Sequence, residues 1–439
     1  MRLVSTITML VLLACGPALA AKGGKPPEKL DPQGSCSTAE CHGDLLARPK
    51  VHAPVAGNEC TTCHEAVGDK HEFKPMPKST ELCMGCHEPM VAGETVHPPA
   101  AEDCLNCHDP HGSKIAGLMK KDTQREVCFS CHDSAIAGGK YQHGPVGVGT
   151  CSGCHKPHSS KEEKFLVAPK AELCVKCHEE LVKAMAGAKS VHEPAAKDCS
   201  TCHDPHSGPQ PKMLKMPVRE LCASCHAETV KNTTEAAVPH GPAKSETGCV
   251  DCHSPHSSAD APLLRKPQPD LCFGCHNKVI DSPSGKLVNM AALLKSNKDW
   301  HGPVRDGCTG CHEVHGGKNF RLLAEAYPAK FYSPFSAENY ALCFTCHEAS
   351  LVTEKTTRSL TDFRDGDRNL HYVHVNSAER GRTCRACHDV HASSNPHHIR
   401  DNVRYGQWDL PINFQLTETG GSCAPGCHTK ATYNNKKNP

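Results

Sequence analysis

Cysteine limits what this chain can fold into. Beyond Cys15, thirty cysteines remain in the 439-residue sequence, and each belongs to a pair closed by a histidine. Thirteen pairs read Cys-x-x-Cys-His: Cys60 and Cys63, Cys83 and Cys86, Cys104 and Cys107, Cys128 and Cys131, Cys151 and Cys154, Cys174 and Cys177, Cys199 and Cys202, Cys222 and Cys225, Cys249 and Cys252, Cys272 and Cys275, Cys308 and Cys311, Cys343 and Cys346, Cys384 and Cys387. Their closing histidines are His64, His87, His108, His132, His155, His178, His203, His226, His253, His276, His312, His347 and His388. Two stretched copies, Cys36-x4-Cys41-His42 and Cys423-x3-Cys427-His428, bring the total to 15 motifs and leave no cysteine over.

Cys-x-x-Cys-His is the attachment site of c-type haem. The two thiols add to porphyrin vinyl groups, and the next residue is thereby placed under the iron as its proximal ligand. Structural zinc takes four ligands from two separated pairs, and disulfides suit an exported chain. Neither has a use for histidine after every second cysteine. The expectation is about 15 covalent haems, the stretched motifs at Cys36 and Cys423 included.

Fifteen of the 32 histidines are thus proximal, and 17 remain for 15 distal positions. Two placements recur. One is His-x-Pro, seven to nine residues before a first cysteine: His52, His97, His143, His192, His240 and His301. The other is three residues after a proximal histidine: His111, His158, His206, His256, His315 and His391. A histidine in the second placement cannot reach the far face of its own porphyrin, because the macrocycle intervenes, so it should serve a neighbouring one. His71 takes this part at the first module. Two of His371, His374, His397 and His398 are surplus; the residues do not say which, and His374 and His398 complete the distal set. The eight methionines past the leader sit at irregular positions and read as packing.

Composition fits a chain built around prosthetic groups. Aromatic residues are 4%, while Gly and Pro number 34 each, too little large apolar surface for ordinary cores. The formal net charge of +1 gives no basic excess for nucleic acid. The start, "MRLVSTITMLVLLACGPALAAKGG", has a basic Arg2, an apolar run from Leu3 to Ala14 and the small-x-small site Ala18-Leu19-Ala20. It reads as a signal peptide over 1–20; the rival is a lipoprotein box with Cys15 acylated. No other run is long enough for a span.

The motifs alternate between one kind preceded by an apolar residue (Leu82, Val127, Leu173, Leu221, Leu271, Leu342) and one flanked by the extra histidines. This is a two-haem repeat, which implies a quasi-one-dimensional array. We expect a regular array over 21–280, holding haems 1–11, and a C-terminal region over 281–439 with inserts, holding haems 12–15. Short helices are predicted around the apolar-preceded motifs, with "AELCVKCHEELVKAMAGAK" and "KLVNMAALLKSNKDW" the clearest. Trp408, Leu410, Ile412, Phe414 and Leu416 alternate, which predicts a C-terminal strand packed against the last haem.

The paired pattern of LCxxCH followed by HxPxxxxC..CHxPHxS resembles the doubled-CXXCH multihaem cytochromes c, over roughly His52 to His391. It is most similar to periplasmic decahaem cytochromes of MtrA type, which thread an outer-membrane β-barrel porin and pass electrons to an outer-surface cytochrome. The resemblance implies bis-histidine haems in a close-packed chain. It carries over onto the Cys-x-x-Cys-His motifs, His97, His143, His192 and His240, and His111, His158, His206 and His256. The sequence departs in having 15 motifs rather than ten, inserts after Asp281 and after His347, and the Cys423 ending.

The expected fold is therefore a multihaem cytochrome c: mostly irregular chain with short α-helices wrapped round a linear stack of haems, elongated, with a short C-terminal strand pair. The expected function is electron transfer without substrate chemistry. The expected setting is the periplasm or outer membrane, with other cytochromes as donor and acceptor and a β-barrel porin as partner. The alternatives are a free periplasmic carrier, a multihaem reductase of nitrite or hydroxylamine type, which needs an open iron, and a haem-storage or sensor protein.

Overall fold

The computed structural model describes residue 29 and residues 36–437. The leader readings at Cys15 and Ala20 lie outside them. The chain divides into two units, Met1–Cys174 and Val175–Pro439.

Each unit is mostly irregular chain with short helices and very short strands. The apolar-preceded motifs are helical at their first cysteine. Cys83 lies in Ser79–Met84, Cys128 in Gln124–Cys128, Cys222 in Val218–Glu235, Cys272 in Asp270–Phe273 and Cys343 in Ala341–Phe344. A capping box starts the second of these: Thr123 accepts from the Glu126 amide, and the Glu126 carboxylate accepts from the Thr123 amide. Lys170–Ala186 and Val218–Glu235 are the two long helices, and both break helical geometry at the motif histidine, His178 and His226. The second predicted helix is also present, as Met290–Ser296.

The His-x-Pro signature has a local explanation. His52, His97, His192 and His301 each precede a helix of four or five residues with proline in its first turn. Proline suits that turn, where its missing N–H has no helical partner anyway. The histidine keeps an extended backbone and projects from the start of the turn.

Two-residue ribbons tie each module to the next but one motif. In the first unit Lys50–Val51 pairs with Gly112–Ser113, and Thr95–Val96 with Ser159–Ser160. In the second, Ser190–Val191 pairs with Ser257–Ser258 and Asp299–Trp300 with Ala392–Ser393.

Little of the polypeptide packs on itself. Among the described residues only eleven apolar ones are buried. The described residues hold one buried apolar cluster, in the second unit: Tyr327, Tyr340, Val352 and Val375, with Phe335, Leu342 and Phe344 against them.

The alternation from Trp408 to Leu416 does not form one strand. Trp408–Pro411 pairs with Asn402–Tyr405, the chain turns at Asn413 with φ 47°, and Gln415–Thr417 joins a three-stranded sheet with Gly420–Cys423 and Ala431–Asn434. Ile412 is buried, whereas Trp408 and Leu416 are exposed.

Candidate haem-ligand array

The histidines come together in facing pairs. In the first unit His42 faces His71, His52 faces His87, His64 faces His111, His97 faces His132 and His108 faces His158, with ring centroids 5.9–6.3 Å apart. In the second unit the pairs are His192 with His226, His203 with His256, His240 with His276, His253 with His315, His301 with His347, His312 with His391, and His371 with His388, at 6.0–6.4 Å. Every one of these pairs joins a motif histidine to a histidine outside the motifs.

The spacing has a chemical meaning. Two metal–imidazole bonds of about 2 Å each, plus roughly 1 Å from each nitrogen to its ring centre, put two rings on opposite sides of one metal ion about 6 Å apart. Near-parallel planes, 7–19° in most pairs, show two rings sharing one axis plane. Two nitrogens alone do not close a coordination sphere. Among the described residues no cluster of three or more His, Cys, Asp or Glu could hold a metal. The pairs fit an iron whose remaining four ligands come from a porphyrin.

The imidazoles are prepared for ligation by hydrogen bonds to Nδ1. A metal-binding histidine commonly donates its other N–H to a carbonyl, which fixes the tautomer and leaves Nε2 with its lone pair. His52, His97, His192 and His240 give theirs to the carbonyls of Pro110, Pro157, Pro255 and Val314, at 2.9–3.1 Å. These acceptors immediately precede His111, His158, His256 and His315. The ribbon is also closed through the backbone: His52 N–H donates to the His111 carbonyl, His97 to His158, His192 to His256 and His301 to His391. Two non-motif histidines thus hang from one ribbon and face two different motifs.

The motif histidines of the second kind use another device. His108, His155, His203, His253, His312 and His388 donate Nδ1–H to the carbonyl nine residues on, at Gly117, Lys164, Lys212, Pro262, Arg321 and His397. At four of these turns two successive side-chain-bearing residues are left-handed: Lys164 and Phe165, Lys212 and Met213, Arg321 and Leu322, His397 and His398, with φ 55–61°. Such a residue costs about 1–2 kcal/mol, and strain repeated at one place marks a positioning role. The residue 11 after the motif histidine then bridges back to it, from Met119, Leu166, Leu214, Leu264, Leu323 and Ile399. Inspection of the sequence for apolar residues at that constant spacing finds this turn; the cysteine and histidine count alone does not.

Burial keeps the rings neutral, as ligation requires. It pushes the pKa of His64, His158, His256, His276 and His315 down, and takes His371 and His391 to about 4.

At the C-terminal end the sequence left open which two of four histidines are surplus. His371, not His398, stands opposite His388, because the helix Leu370–Val375 carries it there. His398 lies edge-on to His301 at 5.6 Å and within 3.8 Å of Asp299. The left-handed turn that serves His388 holds His397 and His398. His374 donates Nδ1–H to the Leu370 carbonyl at 2.7 Å and lies within electrostatic reach of His428.

None of the 30 described cysteines forms a disulfide. First cysteines of successive motifs touch through their thiols: Cys36 and Cys60, Cys83 and Cys104, Cys128 and Cys151, Cys222 and Cys249, Cys272 and Cys308, Cys343 and Cys384. Burial and this contact push Cys83, Cys128 and Cys222 up to about 11. Second cysteines approach the motif that follows: Cys63 is near Cys83, Cys107 near Cys131, Cys202 near Cys225, Cys252 near Cys272, Cys311 near Cys346, and Cys387 near Cys423. Within each unit the motifs therefore follow one another in space as they do in sequence. In the second unit the motifs from Cys222 to Cys427 line a cavity of about 3270 Å³, several times the 300–1,000 Å³ typical of a single-ligand pocket.

The sequence profile of the doubled CXXCH motif matches residues 52–92, 97–137, 143–183, 192–231, 240–280 and 301–351, more than half of the chain. The chain belongs to the doubled CXXCH family. Its matched segments each hold two successive motifs. Among curated proteins it is similar to the multiheme cytochrome MtrA of Shewanella baltica (strain OS185), 30% identical over 180 residues, covering 34% of this chain and 54% of that protein. The chain thus spans about half the length of this relative. As a member of the doubled CXXCH family it is a multihaem c-type cytochrome. No helix among the described residues is long and apolar enough to cross a membrane.

Proposed function

We propose that this cytochrome carries electrons along a file of 15 bis-histidine c-type haems, without substrate chemistry. The observation that supports this most is the facing of motif and non-motif histidines 5.9–6.4 Å apart. A bound haem supplies one-electron chemistry at its iron. The chain's part is to attach it through two cysteines, to close both axial positions with imidazole and to keep successive attachment sites in near contact. On this reading the distal ligands are those set out from the sequence, with His371 in place of His398 and His374 serving the Cys423 motif. The array over 21–280 and the stretched region over 281–439 form one conductor.

The likeness to MtrA supports a setting at the outer boundary of the cell, in or beside a β-barrel porin, with cytochromes on either side. Several haems in file are needed to cross a hydrocarbon core of about 30 Å. The test is fractionation and crosslinking in the native host, followed by reconstitution in liposomes. The conduit reading expects a co-purifying barrel and oxidation of a dye trapped inside by an acceptor outside. A protein wholly soluble in the periplasm, crosslinked to no barrel, is a free carrier instead.

A further inference from the structure

The pair formed by His312 and His391 lies among three arginines. Arg321 is in the left-handed turn whose carbonyl accepts from His312 Nδ1 at 3.1 Å. Arg385 stands between Cys384 and Cys387, a place where no other motif carries arginine. Arg400 follows Ile399, which bridges to His388. The Nε atoms of Arg321 and Arg400 are buried without a hydrogen-bond partner. Arg321 hydrogen-bonds the Lys286 carbonyl at 3.5 Å and lies over the Phe320 ring at 5.2 Å, and Arg400 reaches Asp389 at 3.5 Å. Arg385 acts electrostatically on both other guanidiniums, and Arg385 and Arg400 both act on His391. Asp389 is the one carboxylate interleaved with them; Glu313, beside His312, is exposed.

Two other pairs show less of this excess, and at the C-terminal end Arg382 and Arg368 act on His374. Beside His64 and His111, Arg48 is neutralised by Asp109 at 2.6 Å. Beside His203 and His256, Lys212 takes the place of Arg321, Val250 that of Arg385, and Arg265 that of Arg400, the last already satisfied by the Val250 carbonyl at 2.8 Å.

Buried guanidinium donors without acceptors are costly, and their geometry matches carboxylates. A haem brings two propionates. We propose that Arg321, Arg385 and Arg400 hold propionate of the haem bound between His312 and His391, and make that site the one that keeps an electron most firmly. This rests on the haem reading above. Reduction adds one negative charge at the iron, so fixed positive charge nearby favours the reduced form, and more so away from water. The site is an electron reservoir within the second unit's file, and Arg321, Arg385 and Arg400 are positioning residues.

The test is a spectroelectrochemical titration of the holo-protein, comparing native chain, the triple variant R321Q/R385Q/R400Q, R385Q, R385K and the exposed-site control R404Q. Haem content of each is read first by intact mass. The expected result is that the first-reduced fifteenth of the haem absorbance moves to lower potential in the triple variant and in R385Q, returns with R385K, and stays in place with R404Q. If the triple variant fails to load haem, R385Q against R385K decides. Superimposable curves, or an equal shift with R404Q, overturn the assignment while leaving the haem reading intact. A native chain without haem overturns the reading beneath it.

Discussion

Removing one imidazole distinguishes the two histidine sets proposed for the C-terminal region. His371 faces His388 with ring centres 6.4 Å apart and planes 16° apart, and its ring is deeply buried. His374, one turn along the same helix, does not face His388; it lies toward His428. His398 is turned edge-on toward His301. His371→Ala therefore leaves one iron five-coordinate. The magnitude is stoichiometric: one carbon monoxide bound per reduced chain, and a high-spin ferric signal equal to one haem. His398→Ala should bind none and keep the native spectrum. The assay is carbon monoxide titration of the reduced variants, with haem content checked by mass. Carbon monoxide binding by His398→Ala and none by His371→Ala refutes the pairing read from the structure.

Intact mass after denaturation should show 15 haem additions; 13 would mean that the stretched motifs at Cys36 and Cys423 are empty. Lys212→Gly in the left-handed turn should be neutral or stabilising by up to about 1 kcal/mol, whereas Lys212→Ile should destabilise by at least that much, measured by denaturant unfolding of the holo-protein. A haem-free chain should show no cooperative unfolding, since eleven buried apolar residues cannot offset chain entropy; a sharp thermal transition contradicts this. Each oxidised bis-histidine haem adds one positive centre and two propionates, so the oxidised holo-protein should focus below the sequence pI of 7.5; a value at or above it refutes the charge accounting.

The ligand chemistry was readable because it is covalent and local. A histidine follows each cysteine pair, and His-x-Pro reports an extended residue before a proline-started turn. The apolar residue before Cys83 or Cys222 likewise reports a helix. The place of the left-handed turns could be found from the apolar residue 11 after the motif histidine, but not their handedness, because Lys164, Phe165 and Met213 are residue types that do not announce positive φ. The ribbons are two residues long, below the length at which alternation carries a signal. His371 and His398 are told apart only by tertiary placement: one rides a helix fixed by the Asn369 side chain, which caps it, and the other sits in a strained turn. Average composition also hid a real core. Fourteen of the nineteen aromatic residues lie from Trp300 onward, and Tyr327 and Tyr340 pack edge to face there.

Spin counting by electron paramagnetic resonance on the oxidised, unmodified holo-protein tests the central claim most directly. Fifteen closed bis-histidine sites predict 15 low-spin ferric centres per chain and no high-spin signal of stoichiometric size. A high-spin signal amounting to one haem or more per chain would mean an open iron, and would turn the protein from a conductor into a candidate reductase.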